Sequence, residues 1–162
     1  MERYFAIIGK CGSKAVVLVN KSDLFPDAQN QEAAEAIRAL NREADVHITN
    51  TVYWRPPGNR TPTLAEQAVC RPFVEKTISL VKPKVLLLAG GASAKSILGR
   101  EEGILSLRGR WFEWAAADGT AVLPALPTLH PAFLLRQPAA KKKAWSDLLT
   151  LAERLDRPDR AP

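Results

Sequence analysis

The chain has 162 residues, of which 46% are hydrophobic and 25% charged, and its formal net charge at pH 7 is +6. This composition is typical of a globular domain and excludes a membrane protein, because no apolar run approaches the roughly 20 residues of a membrane-spanning helix. The two cysteines form no C-x-x-C pair and cannot by themselves build a metal site. The basic balance is compatible with a polyanionic partner, and because the start of the chain does not resemble a signal peptide, we expect a cytoplasmic location.

Two short apolar runs near the start of the chain, Tyr4 to Ile8 and Ala15 to Val19, predict buried strands. The segment Asn20 to Asp23 (NKSD) matches the N-K-x-D box with which GTPases read guanine, but no phosphate-binding G-x-x-x-x-G-K-[ST] loop precedes it. A turn is therefore favoured over a GTP-binding module. The next segment, Gln29 to Leu40, has the apolar spacing of an amphipathic helix.

A polar residue follows the next predicted strand, in the stretch VHITNTVYWRPPGNR from Val46 to Arg60. β-branched residues favour a strand, and the Pro-Pro-Gly sequence at 56–58 ends it, which places Asn50 near the strand's exit. Ligands of open α/β sheets bind at the carboxyl ends of strands, and an amide offers both a donor and an acceptor to a planar ring. A turn-capping role for Asn50 explains the same pattern, so both interpretations stay open.

A longer helix is predicted beyond this loop. Thr63 and Glu66 have the spacing of a capping box in front of a helix from about Leu64 to Val81. We expect Pro72 to kink this helix and Lys82-Pro83 to end it.

A glycine-rich turn follows the next strand, Val85 to Leu88. Gly90 and Gly91 begin a short helix that ends at Gly99. The first N–H groups of a helix lack partners and glycines allow a close approach, so this turn can hold an anion. A plain tight turn between strand and helix is an equally good interpretation.

A hairpin is predicted from Arg108 to Ala115 and from Ala121 to Leu126, around Asp118-Gly119. Its second arm leads to His130, which is again a polar residue at a strand exit. A purely structural histidine remains an alternative.

The alternation of strands and helices predicts a three-layer α/β/α architecture with a central, mostly parallel sheet. Ala139 to Leu155 is the last helix, residues 1–155 form a single domain, and residues 156–162 form a tail. Asn50, the Gly90 turn and His130 then lie on one rim of the sheet.

Four blocks of sequence carry a specific resemblance. They are ITNTVYWRPPGNRTPT at 48–63, VCRPFVEKTISLVKPKVLLLAGGASAKSILG at 69–99, LRGRWFEW at 107–114 and PTLHPAFLLRQP at 127–138. In this order they resemble the uracil-DNA glycosylase superfamily, and most closely its family 4. The resemblance runs from about Asn41 to Leu155, so residues 1–40 are atypical.

The resemblance implies a uracil-DNA glycosylase-like fold and an enzyme that acts as a monomer on uracil-containing DNA. Such an enzyme flips uracil out of the helix and hydrolyses its N-glycosidic bond, which initiates base excision repair. The asparagine at the position of Asn50 pairs with N3–H and O4 of uracil. The histidine at the position of His130 donates toward O2 as the bond breaks, and for this a neutral imidazole suffices.

The resemblance also implies three kinds of DNA contact. A glycine turn grips a phosphate, a loop after the histidine wedges into the base stack, and basic residues add nonspecific attraction. The residues in these roles are, in order, Gly90, Gly91 and Ser93; Leu135 and Arg136 in the loop Pro131 to Arg136; and Arg55, Arg60 and Lys141 to Lys143.

The sequence departs from family 4 in its cysteines. Many members bind an iron–sulfur cluster through four cysteines, one of them directly before the R-P-P motif. Here Trp54 occupies that place, Cys70 occupies the next ligand position, and the amino-terminal C-x-x-C is absent. We therefore expect no cluster, no metal and no other cofactor, and we expect Cys70 to be a buried helical thiol.

The second departure concerns the water-activating motif, G-E-x-P-G, and the P-F-V-G segment that follows it in the family. One alignment register places Gly9 on the first glycine and Lys10 on the acid. The other makes Ala15 to Val19 the first strand, so that Asn20 to Asp23 replaces the motif. Both registers stay open.

Two further residues are candidates in this atypical segment. Phe25 is the candidate ring that stacks on uracil, with a core or loop aromatic as the alternative. Asp23 is the candidate activator of the attacking water. If the acid has been lost, the alternative function is a catalytically impaired member that binds uracil or abasic DNA.

Overall fold

The computed structural model describes residues 15–19, 46–54, 56–119 and 121–156, and for residues 15–19 it describes the backbone. Several predictions lie outside these residues. They are the strand Tyr4 to Ile8, the turn Asn20 to Asp23, the helix Gln29 to Leu40 and the tail after Asp156.

Five strands form one sheet in the described part of the chain. They are β1 (Ala15–Val19), β2 (Val46–Asn50), β3 (Val85–Ala89), β4 (Phe112–Ala115) and β5 (Val122–Thr128). Their order is β2-β1-β3-β5-β4, and all neighbours are parallel except β4 and β5. The predicted mostly parallel sheet is confirmed.

The register of the parallel strands aligns their carboxyl ends. Val19 pairs with both Asn50 and Ala89, and Ala89 pairs with Thr128. The residues that follow β1, β2, β3 and β5 therefore leave the sheet along one edge.

The described part of the chain also contains five α-helices and two short 3-10 turns. The helices are α1 (Leu64–Val81), α2 (Gly91–Leu98), α3 (Ile104–Leu107), α4 (Pro131–Arg136) and α5 (Lys141–Asp156), and the 3-10 turns are Pro57–Asn59 and Pro138–Ala140. Within the described ranges, none of these helices has the length and apolar character needed to cross a membrane.

The predicted capping box of α1 is confirmed. The Glu66 backbone N–H donates to Thr63 Oγ1 at 3.2 Å, and the Thr63 N–H donates to Glu66 Oε2 at 2.7 Å. The helix continues through Pro72 and ends at Val81, and Lys82 caps it in a left-handed conformation.

Helices cover both faces of the sheet, because alternate residues of the buried strands point to opposite sides. On one face, Val85 and Leu87 pack with Leu148 and Leu151 of α5. On the other, Leu86 and Leu88 belong to the cluster that contains the following residues of α1 and α2: Val74, Ile78, Ala94 and Ile97. This arrangement is the predicted three-layer α/β/α fold.

The predicted hairpin is correct in topology but wrong at its start. Residues 108–111 are not a strand, because α3 ends at Leu107 and Gly109 adopts a φ of +72° that interrupts extended backbone. The Arg108 side chain instead reaches Asp147 of α5. The first arm therefore begins only at Phe112.

The segment Pro131 to Arg136 was expected to be a loop and is the helix α4. Pro131 occupies its first position, where the missing N–H costs nothing and the fixed φ suits a helix. The last helix begins at Lys141 rather than at Ala139, because Pro138–Ala140 forms a separate 3-10 turn.

Candidate active site

The predicted site residues Asn50, Gly90 and His130 lie at the same edge of the sheet. Asn50 ends β2, Gly90 follows β3, and His130 follows β5 by two residues. Strands are spaced by about 4.8 Å, so the ends of β2 and β3 lie about 10 Å apart with β1 between them.

Asn50 is buried, with 8% of its surface exposed. Among the described residues, no group donates a hydrogen bond to Oδ1. An Asn that caps a turn would accept a backbone N–H at this atom, so the described structure does not support the turn-capping interpretation. A buried oxygen left in this state costs about 1–3 kcal/mol, which a ligand N–H would recover.

The imidazole of His130 is oriented by the start of α4. Its Nδ1 accepts the backbone N–H of Ala132 at 3.1 Å. In a neutral imidazole one nitrogen accepts and the other carries the proton, so this bond assigns the proton to Nε2. His130 is half-buried as a residue, and its protonated Nε2 is itself buried.

Gly90 brings the end of β3 against His130. It has a φ of +96°, and its N–H donates to the Thr128 carbonyl at 2.8 Å. A Cβ at this position would lie 3.0 Å from His130 Cβ. Only glycine permits both this backbone conformation and this approach, so the histidine is held beside the end of β3.

Ser93 and Gly91 occupy the first turn of α2 with different surroundings. Ser93 is fully buried, and its Oγ donates to the Gly90 carbonyl at 2.9 Å. Its hydroxyl therefore stabilises the turn from within, and it does not lie at the surface where a phosphate would bind. Gly91 is half-buried at the first helical position.

Leu135 and Arg136 lie at the exposed end of α4. Leu135 is 72% exposed, although its neighbour Leu134 is buried with Leu129 and Ala144. The helix is thus anchored on one side and presents a large apolar side chain to solvent on the other. This geometry suits the predicted wedge.

Arg60 is engaged by an acid, which the sequence analysis did not anticipate. Its Nη1 and Nη2 bind Oε2 and Oε1 of Glu66 at 2.7 and 2.9 Å. The hydrogen bond from Arg60, together with that from the Thr63 backbone, lowers the pKa of Glu66 to about 2. The charge of Arg60 is therefore neutralised locally, whereas Lys141 to Lys143 are exposed. Asp23, Phe25 and Arg55 lie outside the described residues.

A buried polar network behind the site was missed from the sequence. Asp147 is 1% exposed; its Oδ2 accepts from Thr128 Oγ1 at 2.7 Å and from Arg108 Nε at 3.1 Å, and its Oδ1 accepts from Arg108 Nη2. The pKa of the Asp147 carboxyl is raised, because the effect of burial exceeds the lowering of the pKa by the hydrogen bonds from Thr128 and Arg108. One signal was present in the sequence, since Asp147 has helical spacing from the apolar residues Ala144 and Leu151.

The residues present do not fit the four-cysteine cluster of family 4. Cys70 is a buried thiol, as expected, while Trp54 is 41% exposed at the place of a second ligand. The chain has two cysteines in all. In the described ranges, no three His, Cys, Asp or Glu side chains are grouped so that they could hold a metal.

The architecture and the site define a class of α/β protein with polar side chains gathered at the carboxyl edge of a mostly parallel sheet. A family profile described as the uracil DNA glycosylase superfamily matches residues 14–149. The chain therefore belongs to the uracil-DNA glycosylase superfamily.

Individual relatives place the resemblance within family 4. The chain is 36% identical over 129 residues to a protein of Pyrobaculum aerophilum (76% of this chain, 65% of the relative). It is 40% identical over 97 residues to one of Thermotoga maritima (59% and 47%), and 34% identical over 123 residues to one of Saccharolobus solfataricus (74% and 56%). All three are named Type-4 uracil-DNA glycosylase, which confirms the resemblance to family 4. The chain spans about half to two thirds of their length.

Proposed function

We propose that this protein is a monofunctional uracil-DNA glycosylase that flips uracil out of DNA, hydrolyses its N-glycosidic bond and so initiates base excision repair. The observation that carries the proposal is the buried Asn50 Oδ1, which has no donor among the described residues and lies at the same sheet edge as the fixed Nε2–H of His130. The family membership supports the same reaction.

Asn50 would provide the base specificity. Its Oδ1 accepts the N3–H of uracil and its Nδ2 donates to O4. Cytosine presents an acceptor at N3 and a donor at its 4-amino group, so an acceptor would face Asn50 Oδ1 and a donor would face Nδ2. The unpaired buried groups would cost about 1–3 kcal/mol each, which is enough to reject cytosine.

His130 would stabilise the leaving group. As the bond between C1′ and N1 breaks, negative charge develops on the uracil ring, and Nε2–H donates to O2 of that anion. A preorganised donor of this kind contributes about 100- to 1,000-fold to kcat. Water then adds to C1′ and gives up a proton to the water activator, and uracil leaves as the N1 anion, which gives free uracil and an abasic site.

The position of β1 favours one register for the attacking water. The family match begins at residue 14, and β1 lies between β2 and β3, so the chain leaves the site edge at Val19. The segment Asn20 to Asp23 would then take the place of the family's water-activating loop. Asp23 is the proposed water activator, and Phe25 is the proposed stacking ring.

The proposed DNA contacts surround this edge. The Gly90-Gly91 turn would approach a phosphate, and Leu135 with Arg136 would fill the space left by the flipped base. Arg55 and the exposed Lys141 to Lys143 would attract the backbone, while Arg60 would contribute less because Glu66 pairs with it. We propose that the protein acts on uracil-containing DNA as a cytoplasmic monomer.

The test is uracil release from single-stranded and mispaired oligonucleotides, read as strand cleavage after alkali. We expect release of uracil and not of cytosine, with loss of activity in Asn50→Ala and His130→Ala. His47→Gln, which changes the chain's other histidine, is the control and should stay active. DNA that is bound in a gel but remains intact after alkali would refute the glycosylase and favour the impaired, binding member.

A further inference from the structure

The Arg108–Asp147–Thr128 network joins three segments of the fold, one of which leads into His130. Arg108 follows α3, Thr128 ends β5, and Asp147 lies in the first half of α5. Arg108 Nη2 also donates to the Lys143 carbonyl at 2.5 Å, so the arginine binds the start of α5 at two points. In the sequence, Arg108 is separated from Lys143 by 35 positions and from Asp147 by 39 positions.

The network continues into the site through the backbone of Thr128. The hydroxyl of Thr128 donates to Asp147, while its carbonyl accepts the Gly90 N–H at 2.8 Å. Gly90 in turn packs against the Cβ and ring of His130. A displacement of Thr128 would therefore move both the glycine turn and the histidine.

Close packing makes the position of Asp147 specific. A Cβ at Gly109 would lie 2.7 Å from Asp147 Oδ1, and the Gly109 N–H donates to the Pro127 carbonyl at 3.0 Å. The carboxylate is thus enclosed by backbone on one side and by the arginine on another. Burying two charges carries a desolvation cost, so a buried ion pair alone is weak evidence for a stabilising role. A role in positioning the neighbouring backbone explains this pair better.

We infer that Asp147, held by Arg108, is a positioning residue that sets the tautomer and location of His130 through Thr128 and Gly90. This inference rests on the proposed function for its kinetic consequence, but its structural consequence can be measured without activity. Loss of the Thr128–Asp147 bond would let the end of β5 shift relative to α4. The bond from Ala132 N–H to His130 Nδ1 would then weaken, and the proton would no longer be confined to Nε2.

The test uses substitutions at Thr128. Thr128→Val keeps the shape of the side chain and removes its hydroxyl, whereas Thr128→Ser retains the hydroxyl. Thr77→Val is the matched control, because it removes a threonine hydroxyl whose bond, from Thr77 Oγ1 to the Phe73 carbonyl at 2.9 Å, lies within α1. We expect Thr128→Val to lower kcat by about 10- to 100-fold at nearly unchanged KM, since small misplacements of a catalytic group have effects of this size. Thr128→Ser should restore kcat, and Thr77→Val should leave it unchanged.

The second readout is the ¹⁵N NMR spectrum of the His130 imidazole, assigned with His47→Gln. The wild type should show one tautomer, protonated on Nε2, and Thr128→Val should show a mixture of the Nε2 and Nδ1 tautomers. A wild-type spectrum and kcat in Thr128→Val would overturn the inference, as would a fall in kcat that Thr128→Ser does not restore. If Thr128→Val does not fold, Arg108→Lys, which keeps the charge but loses the paired bonds, takes its place, and a wild-type spectrum and kcat in that variant would overturn the inference. If the wild type releases no uracil, the proposed function fails while the spectrum still decides the positioning role.

Discussion

Gly90→Ala is the substitution whose effect the structure determines most closely. Gly90 combines a φ of +96° with a ψ of 166°, a region that is essentially restricted to glycine. The new Cβ would also lie 3.0 Å from His130 Cβ, which is closer than side chains pack. The neighbouring atom belongs to a histidine anchored by its backbone and by its bond to Ala132, so it cannot simply rotate away.

The magnitude follows from these two contributions. Strained backbone of this kind costs about 1–3 kcal/mol, and overpacking costs about another 1–3 kcal/mol. We therefore expect the free energy of unfolding to fall by about 2–6 kcal/mol, with a fall in Tm of roughly 4–24 °C for a chain of this size. Where the variant is still folded, kcat should also fall, because His130 is displaced.

Gly91→Ala is the matched control for this prediction. Gly91 has no positive φ, and a Cβ there would meet Ile104 Cβ at an ordinary 3.7 Å. This substitution should stabilise the protein by about 0.4–1 kcal/mol through the unfolded state. Urea unfolding followed by tryptophan fluorescence measures both. Equal midpoints for Gly90→Ala and Gly91→Ala would refute the reasoning.

Three further predictions concern the wedge, the capping box and the buried ion pair. Leu135→Ala should leave the free energy of unfolding within about 0.5 kcal/mol of wild type but lower kcat/KM on duplex DNA more than on single strands. Leu105→Ala on α3, whose side chain is also largely exposed, should change neither, and an equal loss on both substrates in Leu135→Ala would contradict the wedge. The Glu66 pKa is lowered from 4.5 to about 2, so its stabilising effect is present above pH 4.5 and is lost as the pH falls toward 2. The difference in unfolding free energy between wild type and Glu66→Gln should shrink over that interval, and a constant difference would argue against the pairing with Arg60. Asp147→Ala should destabilise by about 3–5 kcal/mol, because it leaves Arg108 without its counter-charge, while Glu153→Ala on the same helix should have little effect in urea unfolding.

Features with local signals were predictable from the sequence. The capping pair Thr63 and Glu66 located the start of α1, and a β-branched run followed by prolines located the end of β2 at Asn50. Because parallel strands end at one edge of a sheet, the joint location of Asn50, Gly90 and His130 followed from the predicted topology.

Features that depend on distant contacts were not predictable in the same way. The pairing of Arg108 with Asp147 spans 39 positions, and without it residues 108–111 resemble the start of a strand. The loop expected at Pro131 to Arg136 came from the resemblance to the family, whereas a proline also suits the first position of a helix, as Pro131 does in α4. Arg60 was expected at the DNA because no local pattern showed that Glu66 would bind it as well as cap α1.

The most direct test of the central claim is a crystal structure of the protein with free uracil. The account predicts the ring at the carboxyl edge of the sheet between Asn50 and His130, with its N3–H bonded to Asn50 Oδ1 and its O2 within hydrogen-bond distance of His130 Nε2. Uracil bound elsewhere, or bound to one of these residues with the other turned away, would contradict it.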